Sequence, residues 1–470
     1  MKKTIILISI LMVLIFASTS YAAIGAATVW EIRQDATANN VNGGGFDSGA
    51  AVPGTDYSQQ AAAQDYGTDL ACADGDVATP TVTSATHNFV AADEGNIIHI
   101  TAGAGWTAGW YTITDTAANG AILDRACGTD GAKTGGTWYY GGAMSLNSRL
   151  DDDFFEQLVA GNIVYVKYSA TPYALGETVS VAASGTSDAP IKMLGYNTTR
   201  GDGETTTRPT IAKDLITWTI TGAYWVIENF ITTGAGSNGL SLSGNYNRAQ
   251  NVFSTNTSAL VDKNGIAAGG SYCEIINCET VCALGNGIAV STSGVVMGNY
   301  VHDSTIGISV IGANSKVMFN IVDTVITAGL SMSSLDGAFI AYNTFYCPSG
   351  AKGTTGILGT SSINNIIVGN IFNGWVTPIT VDAADIMTVV DYNDYYGNTN
   401  VNSTTFEGTH NITTDPGFVD APNGNFRVGT NMKALGFPGT FPGGLSIGYV
   451  DIGAVQRVEP TASGGGAWAQ

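Results

Sequence analysis

The chain has 470 residues and a formal net charge of -20, from 18 Lys and Arg against 38 Asp and Glu. Charged residues are only 12% and hydrophobic residues 44%, which excludes an acidic disordered protein and a nucleic-acid binder, since phosphate contacts need basic patches. The 61 Gly, with many β-branched residues, predict short strands joined by many turns.

Lys2 and Lys3 precede an apolar run from Ile5 to Phe16, and Ser20-Tyr21-Ala22 offers small residues at the two positions a signal peptidase reads. Residues 1–22 are therefore expected to be a cleaved signal peptide, sending the mature chain to a secreted or cell-surface location. The run is too short for a permanent anchor, and no later stretch approaches the length of a transmembrane helix. Export permits disulfides among the six Cys, and Cys72 and Cys127 are candidates to pair. Cys273, Cys278 and Cys282 are spaced as metal ligands can be, but no His accompanies them and buried Cys often acts as a small hydrophobe. No metal ligand set is assigned.

Residues 23–145 are read as a small β-rich domain packed on the N-terminal end of a larger repeat unit. Asn96-Ile97-Ile98-His99-Ile100 and Gly109-Trp110-Tyr111-Thr112-Ile113 look like strands, and Val29-Trp30-Glu31-Ile32-Arg33 looks like a strand joining that larger unit.

From residue 229 a repeat sets in. One Asn recurs inside an apolar run: Asn229, Asn251, Asn277, Asn299, Asn320, Asn343, Asn370 and Asn393, at spacings of 21 to 27 residues. After all but the last comes a small turn residue and an alternating strand, as in Gly239-Leu240-Ser241-Leu242 and Gly287-Ile288-Ala289-Val290; Pro378 replaces the Gly in the last case. Two short strands per repeat with inward Val, Ile and Leu describe a parallel β-helix. Coils stacked about 4.8 Å apart would let each Asn amide bond the next as a ladder.

On these residues the chain resembles the right-handed parallel β-helix superfamily of pectate lyases, other polysaccharide lyases and phage tailspikes. The resemblance implies an all-β solenoid. Asp151–Val159 looks like its amphipathic N-terminal capping helix, and Ile163–Lys167 and Ala189–Tyr196 look like its first coils. Asp415-Pro416-Gly417-Phe418 and Asp451-Ile452-Gly453-Ala454 look like its closing segment. The expected organisation is a β-helix over 146–395, C-terminal coils and cap over 396–457, and a flexible tail over 458–470. The fold hosts lyases, hydrolases, binders and structural proteins alike.

Taking each ladder Asn as zero, position minus three is expected to point outward. It holds Val226, Arg248 and Glu274, then Val296, Val317, Ile340, Ile367 and Val390. Five outward β-branched residues would call for a cover, either C-terminal residues or a neighbouring subunit of a homo-oligomer. The competing reading is a sugar platform at position minus one, from Phe319, Tyr342 and Tyr392, whose faces would stack on pyranose rings. The strand after the Gly marker presents a small neutral face through Ser241, Ala267, Ala289, Ser309, Ser331, Leu358 and Thr380.

Chemistry, if the chain performs any, is expected in the turn after the ladder. His302 and Asp323 each sit three residues past their Asn on adjacent coils, with Asp303 beside His302 and Glu279 one coil earlier. Paired carboxylates would serve glycoside hydrolysis as acid and base. They would equally hold Ca2+ through hard oxygen ligands, or merely solvate turns. Asp391 and Asp394 beside Tyr392 repeat the pattern. Lyases of the superfamily typically add an Arg or Lys base, whereas Arg248, Lys263, Lys316 and Lys352 are scattered here. The expected function is therefore a carbohydrate-binding or structural β-helix protein facing a polysaccharide or cell-surface glycan. The alternative is a polysaccharide lyase or glycoside hydrolase acting through the His302 region.

Overall fold

The computed structural model describes residues 28–33, 46–47, 65–94, 97–140, 155, 158–175, 178–198, 200–202, 207–213, 218–234, 236–256, 263–347, 353–382, 389–400, 402, 407–432, 435 and 451–455. They form two compact units, one within 65–140 and one from 155 onward together with residues 29–33.

In the first unit six strands close into an antiparallel barrel, with Asp65–Cys72 meeting Lys133–Tyr140 at the closure. Ala118 and Asn119, both at positive φ, make the two-residue hairpin between Gly109–Ala117 and Gly120–Leu123. Leu70, Val82, Ile98, Ile100, Tyr111, Ile113 and Trp138 fill the interior. The strands expected near residues 97 and 109 are both present. Cys72 and Cys127 share this core as unlinked thiols.

The second unit is a parallel β-helix with three sheets. Each coil contributes one strand to each sheet and pairs in register with the coils on either side. The first sheet has 12 strands; Phe46–Asp47 is its edge, Thr28–Ile32 pairs with Ile163–Lys167, and the sheet runs through Trp225–Glu228 to Val389–Asp391. The second runs through 10 strands from Tyr173–Ala174 to Asp394–Tyr396, and the third through 9 from Val179–Val181 to Thr377–Thr380. Side chains alternate inward and outward. The third-sheet face expected from Ser241 to Thr380 does point outward, since Leu240, Ile266, Ile288, Ile308, Leu330, Ile357 and Ile379 fill the core.

The recurrent Gly has a steric cause. A Cβ at Gly265, Gly307, Gly329 or Gly356 would lie 2.4–2.7 Å from the carbonyl oxygen of the same position one coil on. The coils approach too closely there for any side chain. Pro378 stands at that position in the last third-sheet strand, on which no further strand stacks.

The single Asn ladder resolves into two. Asn229, Asn251 and Asn277 occupy a left-handed turn position at φ +51° to +64°. In later coils that position holds Gly298, Phe319, Tyr342, Gly369 and Tyr392, all at positive φ. Asn299, Asn320, Asn343, Asn370 and Asn393 stand one residue further, essentially without exposed surface. There each Nδ2 donates to the Oδ1 of the next Asn, at 2.8 Å from Asn299 to Asn320 and 2.9 Å from Asn320 to Asn343. The same Oδ1 also accepts the backbone N–H of the Asn before it, and the second amide hydrogen goes to a carbonyl such as Ile275 or Val296. Asn411 closes the ladder as an unexpected sixth rung.

This one-residue offset corrects the outward row. Val296, Val317, Ile340, Ile367 and Val390 point into the core, continuing the column of Ile227, Ala249 and Ile275. The row that faces out after Val226, Arg248 and Glu274 is Val295, Lys316, Phe339, Ile366 and Val389. No cover is needed for buried residues. The C-terminal segment instead packs on the second sheet. Val428, Met432 and Ile452 bury Ile371, Phe418 and Phe426 meet Tyr346 edge-on, and the Ala454 N–H donates to Thr344 Oγ1.

The capping helix expected over Asp151–Val159 lies mostly outside the described residues, which include Phe155, Leu158 and Val159 of it. Phe155 itself is helical, but no α-helix spans the described residues, so the capping helix is not supported.

Candidate functional site

The second sheet carries the chemistry. Its outward positions bring Glu279, Tyr300, His302 and Asp323 together on three consecutive coils, because Val281, His302 and Asp323 share one register and Glu279 and Tyr300 another. His302 Nε2 meets Glu279 Oε1 at 3.2 Å and its Nδ1 meets Asp303 Oδ2 at 2.8 Å. A neutral imidazole has one N–H, so only the imidazolium can donate to both acids. Burial opposes that charge, but the bonds to Glu279 and Asp303 prevail and raise the His302 pKa. The Tyr300 ring stacks on the imidazole with centroids 4.5 Å apart.

Tyr300 also links the coils, its hydroxyl donating to Asp323 Oδ2 at 3.4 Å, while Thr324 Oγ1 donates to Asp323 Oδ1 at 2.7 Å. Burial pushes the Asp323 carboxyl above its usual range against those bonds. The Asp323 side chain is thus biased toward the protonated acid. Glu279 and Asp303 are about half exposed, at 46% and 59% of their side-chain surface. Arg208 stands nearby, donating to the Asn251 carbonyl at 2.8 Å with Glu279 within its field. Next in register after Asp323 comes Tyr346, which lines a groove of about 500 Å³ with Asn373, Phe418 and Asp420.

All four predicted residues therefore gather in one place, but with different pairing. His302 bonds Glu279 and Asp303 rather than Asp323, and Asp323 is reached through Tyr300. The residues lie on strands Glu279–Cys282, Tyr300–His302 and Ile321–Asp323 rather than in turns, Asp303 alone following its strand. Tyr300 and Arg208 were not anticipated. A Tyr inside a strand reads as core, and Arg208 precedes the repeat. An imidazolium between them would offset one of the two charges of Glu279 and Asp303 and repel a second cation, which disfavours Ca2+ there. A tighter set of hard oxygens is Asp74, Asp76 and Asp130 in the barrel, whose carboxylate oxygens lie within 4.8 Å of one another.

The other candidates are dispersed. Tyr342 is 3% exposed and stacks with Phe319 at 5.3 Å, in a cluster with Ala341, Val368 and Phe339. Its burial removes it as a sugar platform. Tyr392 stacks on His410 at 4.4 Å, and His410 Nδ1 meets Asp391 Oδ2 at 2.9 Å. Asp394 is buried apart from them. Cys273, Cys278 and Cys282 are buried thiols donating to carbonyls, with burial pushing Cys278 to about 12 and Cys282 to about 11. Such thiols are not metal ligands. In the barrel His87 sits between Asp65 and Asp93, at 2.9 and 3.1 Å.

The architecture is a parallel β-helix of three sheets. Among solved structures the chain is similar to pectate lyase Pel9A, at 15% identity and a TM-score of 0.42, over 67% of this chain and 92% of that one. It is similar to a mannuronic acid specific family 6 lyase from human gut microbiota, at 12% and 0.37, over 57% and 76% of the two chains. A lacto-N-biosidase from Eubacterium ramulus matches at 13% and 0.37, over 58% and 64%. No protein-family model and no curated protein matches the chain.

Proposed function

We propose that this is an exported β-helix protein that holds a carbohydrate chain along the outer face of its second sheet, at Glu279, Tyr300, His302 and Asp303. The observation that carries the reading is the gathering of exposed acids, an imidazole and an aromatic ring on adjacent coils. Coils repeat about every 4.8 Å, close to the length of one pyranose unit in an extended chain. Successive sugars therefore meet successive coils, with charged groups to bond their hydroxyls.

A second reading, glycoside hydrolysis, is favoured by one asymmetry. Burial raises the Asp323 pKa, while Glu279, two coils away, is half exposed. One buried and one exposed carboxyl are candidates for the acid and the base such a reaction needs.

The test incubates the purified protein with neutral and uronic-acid polysaccharides, reading binding, new reducing ends and unsaturated products. His302→Ala is expected to weaken binding about tenfold, the loss of one charge-assisted hydrogen bond. Turnover abolished by Asp323→Asn with binding retained would establish hydrolysis. Binding to none of the polymers would overturn both readings.

A further inference from the structure

Tyr224, Tyr246 and Tyr272 occupy one turn, between the third and first sheets, on three successive coils. Their rings are nearly parallel, with centroids 4.7 and 4.9 Å apart and interplanar angles of 5° and 5°. All three have left-handed backbone, at φ +58°, +59° and +60°, a conformation bulky side chains rarely adopt. The turn itself does not ask for Tyr. Later coils fill the same position with Ser293, Asn314, Gly337 and Asn364, also at positive φ, joined by the same backbone bonds, as from Tyr272 N–H to the Thr292 carbonyl and Ser293 N–H to the Ala313 carbonyl.

Three strained positions thus build an aromatic stack that remains at the surface. Tyr246 is 45% and Tyr272 51% exposed. Strain held at an exposed site points to function rather than packing. The stack stops abruptly, because the next coil offers Ser293 in place of a ring. One coil spacing beyond Tyr272 there is a step of ring thickness, floored by a small hydroxyl residue. Two residues past Tyr246 and Tyr272, on the outer face of the first sheet, Arg248 and Glu274 form a half-exposed ion pair at 2.5 Å. They set a donor and an acceptor near the stack.

We propose that this step is a sugar subsite, separate from the second-sheet cluster, in which a pyranose ring stacks its C–H face on Tyr272 over Ser293 and turns hydroxyls toward Arg248 and Glu274. Aromatic faces carry the negative end of a quadrupole, which suits the weakly positive C–H face of a sugar. The inference rests on the reading that the protein engages carbohydrate. It adds a second point of attachment on another edge of the solenoid, so that one polymer or two can be gripped with added avidity.

The test titrates full-length protein with cellohexaose, xylohexaose, mannohexaose and chitohexaose by calorimetry, comparing wild type with Tyr272→Ala, Ser293→Tyr and His302→Ala. Ser293→Tyr extends the stack by one ring, in a backbone conformation three tyrosines already accept, so its Tm is expected to match or exceed wild type while the subsite is filled. A tenfold or greater loss of one binding event in both Tyr272→Ala and Ser293→Tyr, with that event kept in His302→Ala, supports the subsite. Unchanged binding in both stack variants overturns it while leaving the second-sheet reading standing. Wild type that binds none of the four overturns the subsite, and the polysaccharide panel then decides the broader reading alone.

Discussion

Asp394 begins the last strand of the second sheet and has no exposed surface. Its Oδ1 accepts the Thr414 N–H at 3.0 Å, while Oδ2 has no hydrogen-bond partner. Burial, helped by the charge of Asp415, raises its pKa to about 8 against the backbone bonds that oppose the shift. In the unfolded chain an Asp loses its proton near pH 3.9. Between those values the folded state binds the extra proton, so stability falls as pH rises across the interval and is fully present below it. The slope from one group is at most about 1.4 kcal/mol per pH unit. Asp394→Asn keeps the shape and removes the titration. The variant's Tm is expected to fall less than wild type's between pH 5 and pH 8.5; parallel curves would show that Asp394 ionises in the fold at no cost. The sequence pairs Asp394 with Asp391 as an acidic turn, and nothing in it marks Asp394 as buried. Asp394 and Asp391 both flank Tyr392, yet the first is buried at a sheet and the second pairs with His410 at the surface. Only the coil register separates them.

The two Asn ladders show what a repeat discloses and what it conceals. Eight Asn at near-regular spacing disclose stacked coils, and the strand pairs bear that out. The spacing conceals that Asn277 and Asn299 stand at different positions of their coils, because a step of 22 residues is ordinary for this repeat. A slip of one residue exchanges the two faces of a strand, which is why Val296 and its successors looked outward. The local signal was present: Phe319, Tyr342 and Tyr392 precede their Asn, whereas Phe230 and Val252 follow theirs. The same logic explains the second-sheet site. Glu279, His302 and Asp323 could be placed by coil counting, but Tyr300 could not be given a direction without the register. The ladders should also differ energetically. Asn343→Ala orphans the Asn320 amide and the Val317 carbonyl in the core, at about 1–3 kcal/mol for each buried group. Asn251→Ala loses one half-buried bond to Asn229 and puts Ala in a left-handed turn, at about 1–2 kcal/mol. Asn251→Gly relieves that strain. In urea denaturation the midpoint is expected to drop most for Asn343→Ala, less for Asn251→Ala and least for Asn251→Gly. Equal midpoints for the first two would mean that the buried ladder contributes no more than the half-buried one.

At the scale of the whole molecule, the charge of -20 and pI of about 4.3 sit on a scaffold whose core columns and third-sheet face are neutral. Among the described residues the acids stand in turns, in the barrel, on first-sheet strands as Glu228 and Glu274 do, and at the second-sheet cluster, where Glu279 and Asp303 face one imidazole. The docked C-terminal segment narrows the choice further. It covers Thr344 and Ile371 and reaches Tyr300 through Phe426, while Glu279 and Asp303 keep about half of their side-chain surface exposed. A polyanion approaching those acids meets like charge over the surrounding surface, and such repulsion lowers encounter rates and weakens binding. Salt screens it, with a Debye length near 10 Å at 0.1 M. A neutral chain feels no such field and relies on hydrogen bonds and stacking, which salt barely alters. Neutral oligosaccharides are therefore expected to bind with affinities that stay within about twofold between 20 mM and 500 mM NaCl, a change under ~0.5 kcal/mol. Polygalacturonate should bind more weakly than any of them at low salt and gain affinity as salt rises. The reverse outcome, tight polygalacturonate binding that salt dissolves, would show that a local cation such as Arg208 outweighs the net charge, and would turn the substrate class toward uronic acids.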